Sequence, residues 1–169
     1  FNHFFKMLIF LTFFVTSNLQ QTDIDSCQVK NVFDIKKFEM TSQNVPRSGI
    51  ISYIFYAQLT SQVENPYLET QILSDENRIP VFRNRDALCR DDVLNCPASH
   101  SNIIYKNQIH LPATLITGNY MLRFIFREGK QSISCYEKSF QITEKNTLLN
   151  KLKIIFDVEK RKMRNKYQP

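Results

Sequence analysis

Four cysteines carry the most specific chemistry in the chain: Cys27, Cys89, Cys96 and Cys135. None of their spacings is the Cys-x-x-Cys clamp of a zinc site, so thiolate–metal chemistry is a poor match and no metal is expected. An even cysteine count behind an apolar leader fits oxidation instead, in an exported or lumenal protein whose disulfides staple the fold. Four cysteines admit three connectivities, and their positions alone do not choose among them. Nucleophilic and acid–base chemistry have little to work with. His3 lies in the leader, which leaves His100 and His110, and no Gly-x-Ser-x-Gly elbow presents a serine. Ser99-His100-Ser101 gathers suitable residue types, but sequence neighbours cannot take up the oriented geometry of a triad. The sequence therefore predicts no enzyme and no cofactor.

The leader itself is short. The apolar run from Met7 to Val15 is about half the roughly 20 residues of a spanning helix. With Lys6 on its amino-terminal side and Val15-Thr16-Ser17 as a cleavage signal, residues 1–17 read as a signal peptide. Residues 18–143 are enough for one domain with its own core, and a chain with three glycines, six prolines and 12% aromatics is not composed for disorder. The net charge of +6 is unevenly spread: residues 18–143 hold 13 Lys/Arg and 13 Asp/Glu, whereas residues 144–169 hold 8 and 3. A balanced body lacks the basic face that nucleic acid requires, so no nucleic-acid partner is expected. Nothing in that balance opposes an apolar ligand.

The body repeats with a period of two, as half-buried strands do. Ile51, Tyr53, Phe55, Ala57 and Leu59 alternate with Ser52, Ile54, Tyr56 and Gln58, and Tyr120, Leu122, Phe124 and Phe126 alternate with Met121, Arg123, Ile125 and Arg127. Further extended runs fall at Leu68–Leu73, Ile79–Arg83, Ile103–Leu111 and Ser132–Ile142, separated by turn signals such as Thr117-Gly118-Asn119 and Glu128-Gly129-Lys130. The spacing predicts an all-β, immunoglobulin-like antiparallel sandwich of six to eight strands. There is no tryptophan, so the buried Trp of antibody domains is missing. On the residues alone, the apolar strand faces read as packed core.

The order Cys89-Arg90-Asp91-Asp92-Val93-Leu94-Asn95-Cys96-Pro97, then Ile103-Ile104-Tyr105, Leu111-Pro112, Gly118-Asn119-Tyr120 and Ser134-Cys135-Tyr136-Glu137 resembles the ML lipid-recognition family. That family takes in Niemann-Pick type C sterol carriers and phosphatidylglycerol/phosphatidylinositol transfer proteins, and the likeness spans about Gly49 to Ile142. It implies pairing of Cys27 with Cys135 and of Cys89 with Cys96. The additional bridge that many members carry after the first cysteine has no counterpart here.

The resemblance also implies two sheets that part to admit a lipid into an apolar cavity between them. Its lining would be Phe55, Ala57, Leu59, Leu68, Ile72, Phe82, Ile103, Tyr105, Leu122, Phe124 and Phe126, with Tyr105 turning its hydroxyl toward a headgroup or water. The implied partner is a sterol, phospholipid or fatty acid, held by a monomer that carries it between membranes. The alternative is a co-receptor module that presents the lipid to a protein. Arg83, Arg85 and Arg90 fall near the expected mouth and could attract a phosphate, but Asp86, Asp91 and Asp92 are interleaved with them, so solvated surface charge is the favoured reading.

Beyond Ile142 the period changes. Leu148, Leu149, Leu152, Ile155 and Phe156 recur at helical spacing among Lys151, Lys153, Lys160, Arg161, Lys162, Arg164 and Lys166. Residues 144–169 thus read as a basic, amphipathic helical tail, an addition to the ML pattern. It would either dock on an anionic membrane surface or pack its apolar stripe on the sandwich.

Overall fold

The computed structural model describes residues 20–27 and 31–144. The expected signal peptide and the expected tail helix, from residue 145 onward, lie outside the described residues. Within them the chain forms ten strands: β1 (Gln20–Gln21), β2 (Asp25–Ser26), β3 (Phe33–Met40), β4 (Asn44–Pro46), β5 (Ile50–Leu59), β6 (Pro66–Ser74), β7 (Pro80–Ala87), β8 (Asn102–His110), β9 (Gly118–Glu128) and β10 (Gln131–Thr143). They build two facing sheets. One has the order β1-β3-β5-β8; the other has the order β2-β10-β9-β6-β7, with β4 added beside β10.

All six strands anticipated from alternation are present; burial in β5 follows the period of two, whereas β6 and β9 are also buried at positions on their outer faces. Ile51, Tyr53, Phe55, Ala57 and Leu59 of β5 all face inward and are buried, as are Tyr120, Leu122, Phe124 and Phe126 of β9. The strand count exceeds the expected six to eight because β1 to β4 were not anticipated. The most consequential of these is β3. Its pairing with β5 shifts register between Ile35 and Lys37, so that Phe33 and Phe38 both turn inward although they stand an odd number of residues apart. A bulge of this kind breaks the alternation by which a strand is recognised in sequence. The layout is also not wholly antiparallel, since β4 runs parallel to β10 through the pairing of Val45 with Ile142.

Both disulfides form as the resemblance implies. Cys27 joins Cys135 with a Cα–Cα distance of 5.1 Å, and Cys89 joins Cys96 at 5.5 Å. The first lies within the larger sheet, where the Cys27 amide also donates to the Cys135 carbonyl at 2.9 Å. It links positions 108 residues apart, and closing so long a loop in the unfolded chain is worth about 4.8 kcal/mol by chain entropy. The second pins the segment between β7 and β8, which is where the chain passes from the larger sheet to the smaller. That segment is further tied by paired backbone hydrogen bonds between Val63 and Ala98 and by the Leu59 amide donating to Ser101 at 2.8 Å.

Candidate functional site

The interior between the sheets is built from side chains that the alternation selects. Phe55, Ala57 and Leu59 from β5, Leu68 and Ile72 from β6, Ile103 and Tyr105 from β8, and Leu122, Phe124 and Phe126 from β9 are buried together in one apolar cluster. Phe82 of β7 packs against that cluster and is only partly buried. The structure adds aromatic groups that sequence reasoning did not place in the lining: Phe33 and Phe38 from β3, Tyr53 from β5 and Tyr136 from β10. Tyr53 already stood in the inward register of β5, so its signal was available. The other two elements gave weaker signals, β3 through its bulge and β10 through the Ser132/Ser134 register shift.

Rings from opposite sheets meet. Phe33 stacks on Phe126 with centroids 4.6 Å apart, Tyr53 meets Phe124 at 4.9 Å, and Phe55 meets Phe126 edge-on at 5.5 Å. These are contact distances for aromatic pairs. The open hollow that the resemblance implied is therefore filled, along this central band, by the chain's own rings. The reading of the same faces as packed core is the one that describes this conformation, because aromatic side chains on β3, β5 and β9 are long enough to bridge the gap between the sheets.

The two long edges of the sandwich differ. At the β3–β10 edge, the Val32 amide donates to the Ile133 carbonyl at 3.0 Å and the Phe33 amide to Ser134 Oγ at 2.8 Å. The Tyr136 hydroxyl donates to the Phe33 carbonyl at 2.8 Å and accepts from the Ile35 amide at 3.2 Å. At the β7–β8 edge, no backbone hydrogen bond joins the strands among the described residues. The two edges meet there through the Tyr105 hydroxyl, which donates to Asp86 Oδ2.

Tyr105 is the inner end of a polar string. Its ring is fully buried and stacked on Phe55 at 5.0 Å, while its hydroxyl accepts from Asn107 Nδ2 at 2.8 Å. Tyr53 lies beside it, with its hydroxyl 3.3 Å from Thr70 Oγ1 of the facing sheet. Outward, Asp86 accepts from Arg90 at 3.2 Å, and Arg90 also pairs with Asp92 at 3.4 Å. Burial pushes the Tyr53 phenol up to about 12, in spite of its hydrogen bonds to Thr70 and Asn107. Burial raises the Tyr105 phenol further, aided by Tyr53 and by the Asp86 carboxylate. Both are therefore neutral hydroxyls at ordinary pH, able to donate and to accept.

Catalytic geometry does not assemble around the histidines. In Ser99-His100-Ser101 the Ser101 hydroxyl donates to the Ser99 carbonyl at 3.2 Å, and His100 stands exposed at φ 51°. His110 is exposed at the end of β8. Among the described residues no group of three or more His, Cys, Asp and Glu is placed to hold a metal ion.

No protein-family model and no curated protein matches the sequence. Solved structures match its fold. The Niemann-Pick type C2 protein from Japanese carpenter ant overlays with a TM-score of 0.60 at 16% identity, across 72% of this chain and 100% of that one. The C-terminal domain of wzt overlays at 0.50 and 9% identity, across 76% and 80%. Chicken MD-1 complexed with lipid IVa overlays more loosely, at 0.47 and 12% identity, across 74% and 97%. At these identities the likeness is one of fold, and this chain has a fold similar to that of the carpenter ant's Niemann-Pick type C2 protein.

Proposed function

We propose that this chain binds a lipid between its two sheets and carries it, as a monomer without catalysis, in an exported or lumenal compartment. The observation that carries this reading is the β7–β8 edge: an aromatic interior whose margin on that side is held by the Tyr105–Asp86 bond and not by a backbone ladder. The fold likeness to the ant Niemann-Pick type C2 protein supports the same reading, and two disulfides suit an oxidising compartment.

Entry of a ligand requires the rings to part. Cross-sheet ring pairs are worth about 0.5–1.5 kcal/mol each beyond their buried area. An alkyl chain of about a dozen methylenes gains about 10 kcal/mol on leaving water. Rings displaced from one another would regain most of their contact against the ligand, so the balance favours uptake. The Tyr105, Asn107 and Tyr53 groups would then receive the ligand's polar end. Because the Tyr105 hydroxyl is bonded to the Asp86 carboxylate, the string suits a neutral hydroxyl, such as a sterol's, better than a second carboxylate.

Mass spectrometry of an organic extract of the protein, purified from an oxidising host, tests the reading. Co-purified lipid near one mole per mole of protein is expected. An extract free of lipid, from protein that also fails to take up sterol, phospholipid or fatty acid from vesicles, would sink it. Transfer of the bound lipid from donor to acceptor vesicles distinguishes a carrier from a module that holds its lipid for a protein partner.

A further inference from the structure

The outer face of the larger sheet carries a second arrangement that the interior does not explain. Alternation along β7 sends Phe82 and Asp86 toward the core and Arg83 and Arg85 to the opposite face, so the arginines and Asp86 that adjoin in sequence separate in space. The register sets Glu69 of β6 opposite Arg85 and Gln71 opposite Arg83, and sets Arg127 of β9 opposite Tyr67. Three guanidiniums converge on one carboxylate. The Nε atoms of Arg83 and Arg85 lie 3.2 Å from Glu69, and that of Arg127 lies 3.4 Å from it. Glu69 is only 2% exposed although its strand face looks outward, because these side chains cover it. Burial works to raise its pKa, but the Gln71 hydrogen bond and the three guanidinium charges outweigh burial and hold it below the usual carboxylate range.

One carboxylate neutralises one of the three cations, and Lys130 lines the same hollow of about 490 Å³. Like charges held this close repel one another, and a single guanidinium matches the charge of Glu69, so pairing that carboxylate does not by itself call for the second and third arginines. The geometry also leaves donors unused. Each arginine approaches Glu69 through Nε, and the terminal nitrogens of Arg83 and Arg85 make no hydrogen bond to the described residues. Both side chains are more than half exposed. Arg85 is additionally braced over the Tyr67 ring, 5.7 Å from its centroid.

We propose that this hollow binds a phosphate group. The outward guanidinium forks of Arg83 and Arg85 take its oxygens in paired hydrogen bonds, Arg127 and Lys130 add charge, and Glu69 is the positioning residue that holds Arg83 and Arg85 at their Nε atoms. The phosphate is either a free or small-molecule anion or the headgroup of an acidic lipid. The site lies on the outer face and does not depend on a ligand between the sheets.

The test uses the full chain at low ionic strength. One arm titrates inorganic phosphate, with chloride as control, and follows the arginine side-chain NMR signals. The other measures sedimentation with phosphatidylcholine vesicles, with and without phosphatidic acid. Arg83→Gln with Arg85→Gln is expected to weaken binding at least about tenfold in whichever arm binds, since each lost fork is a set of charged hydrogen bonds, and to leave the lipid content of an organic extract unchanged. Binding in the phosphate arm identifies a soluble phosphate as sufficient, and binding in the vesicle arm alone identifies a headgroup. The proposal is overturned if neither arm binds, if the double variant binds as the parent does, or if Arg83→Lys with Arg85→Lys retains full affinity, because charge without the planar fork would then suffice.

Discussion

The two long edges of this sandwich are closed by different chemistry. At the β3–β10 edge, backbone amides and carbonyls of one sheet are met by Ser134 and Tyr136 of the other, and the nearby Cys27–Cys135 bridge fixes β2 and the incoming chain to β10. At the β7–β8 edge no backbone hydrogen bond crosses the gap among the described residues, and Tyr105 and Asp86 supply the link. Opening the first edge strands buried backbone polar groups, at about 1–3 kcal/mol each, whereas opening the second exchanges a hydroxyl–carboxylate bond for hydration. Under the proposed function the first edge would serve as the hinge and the second as the mouth.

The largest expected effect tests the hinge. Replacing Cys27 and Cys135 together by serine should lower stability in denaturant titrations by about 4–5 kcal/mol, against about 2.5 kcal/mol for Cys89 and Cys96 together, because the loop-closure entropy differs between the two spans. Equal losses would remove the basis for ranking the two bridges.

Alkaline pH should act on both edges. The folded-state phenols of Tyr53, Tyr105 and Tyr136 are all raised, chiefly by burial. The unfolded chain therefore ionises first, near pH 10, and stability that is complete below that value falls as pH rises through about 12, the folded value of Tyr53. Each such phenol contributes a slope of about 1.4 kcal/mol per pH unit in that window. Urea midpoints measured at pH 9, 10 and 11 should stay level and then drop, and a flat profile to pH 11 would contradict the burial of these hydroxyls.

Two single substitutions then separate the edges. Tyr136→Phe removes the partner of the Phe33 carbonyl and the Ile35 amide, and should cost about 2 kcal/mol with no gain in the rate of lipid uptake. Tyr105→Phe keeps the ring stacked on Phe55 and should cost about 1 kcal/mol or less. It should nevertheless accelerate uptake and raise amide exchange in β7 and β8. Faster uptake in the Tyr136 variant, or none in the Tyr105 variant, would reverse the assignment of hinge and mouth.

Much of this architecture was legible beforehand, and the exceptions have local causes. β5 and β9 announce themselves because each keeps an unbroken period of two with one face wholly apolar. β3 did not, because its bulge puts Phe33 and Phe38 out of phase. Tyr105 was singled out with its hydroxyl near the mouth, but its partner Asp86 is a pairing across two sheets that no spacing encodes. Arg83 and Arg85 read as ordinary surface charge amid interleaved aspartates. Only the pleat of β7 separates the two signs, and only the β6–β7 register brings Glu69 beneath the arginines.

By itself the order of residues determined the strand period, the inward faces and, through its resemblance to a known family, the pairing of the four cysteines. Those properties are local or rest on a recurring pattern, since a side chain's face follows from its neighbours along one strand. Whether facing rings touch or stand apart, which edge is laced and which is latched, and which cations share a carboxylate were decided only by the tertiary structure. Each depends on the separation and register of strands far apart in the chain, and those are set by the sum of all contacts between the sheets.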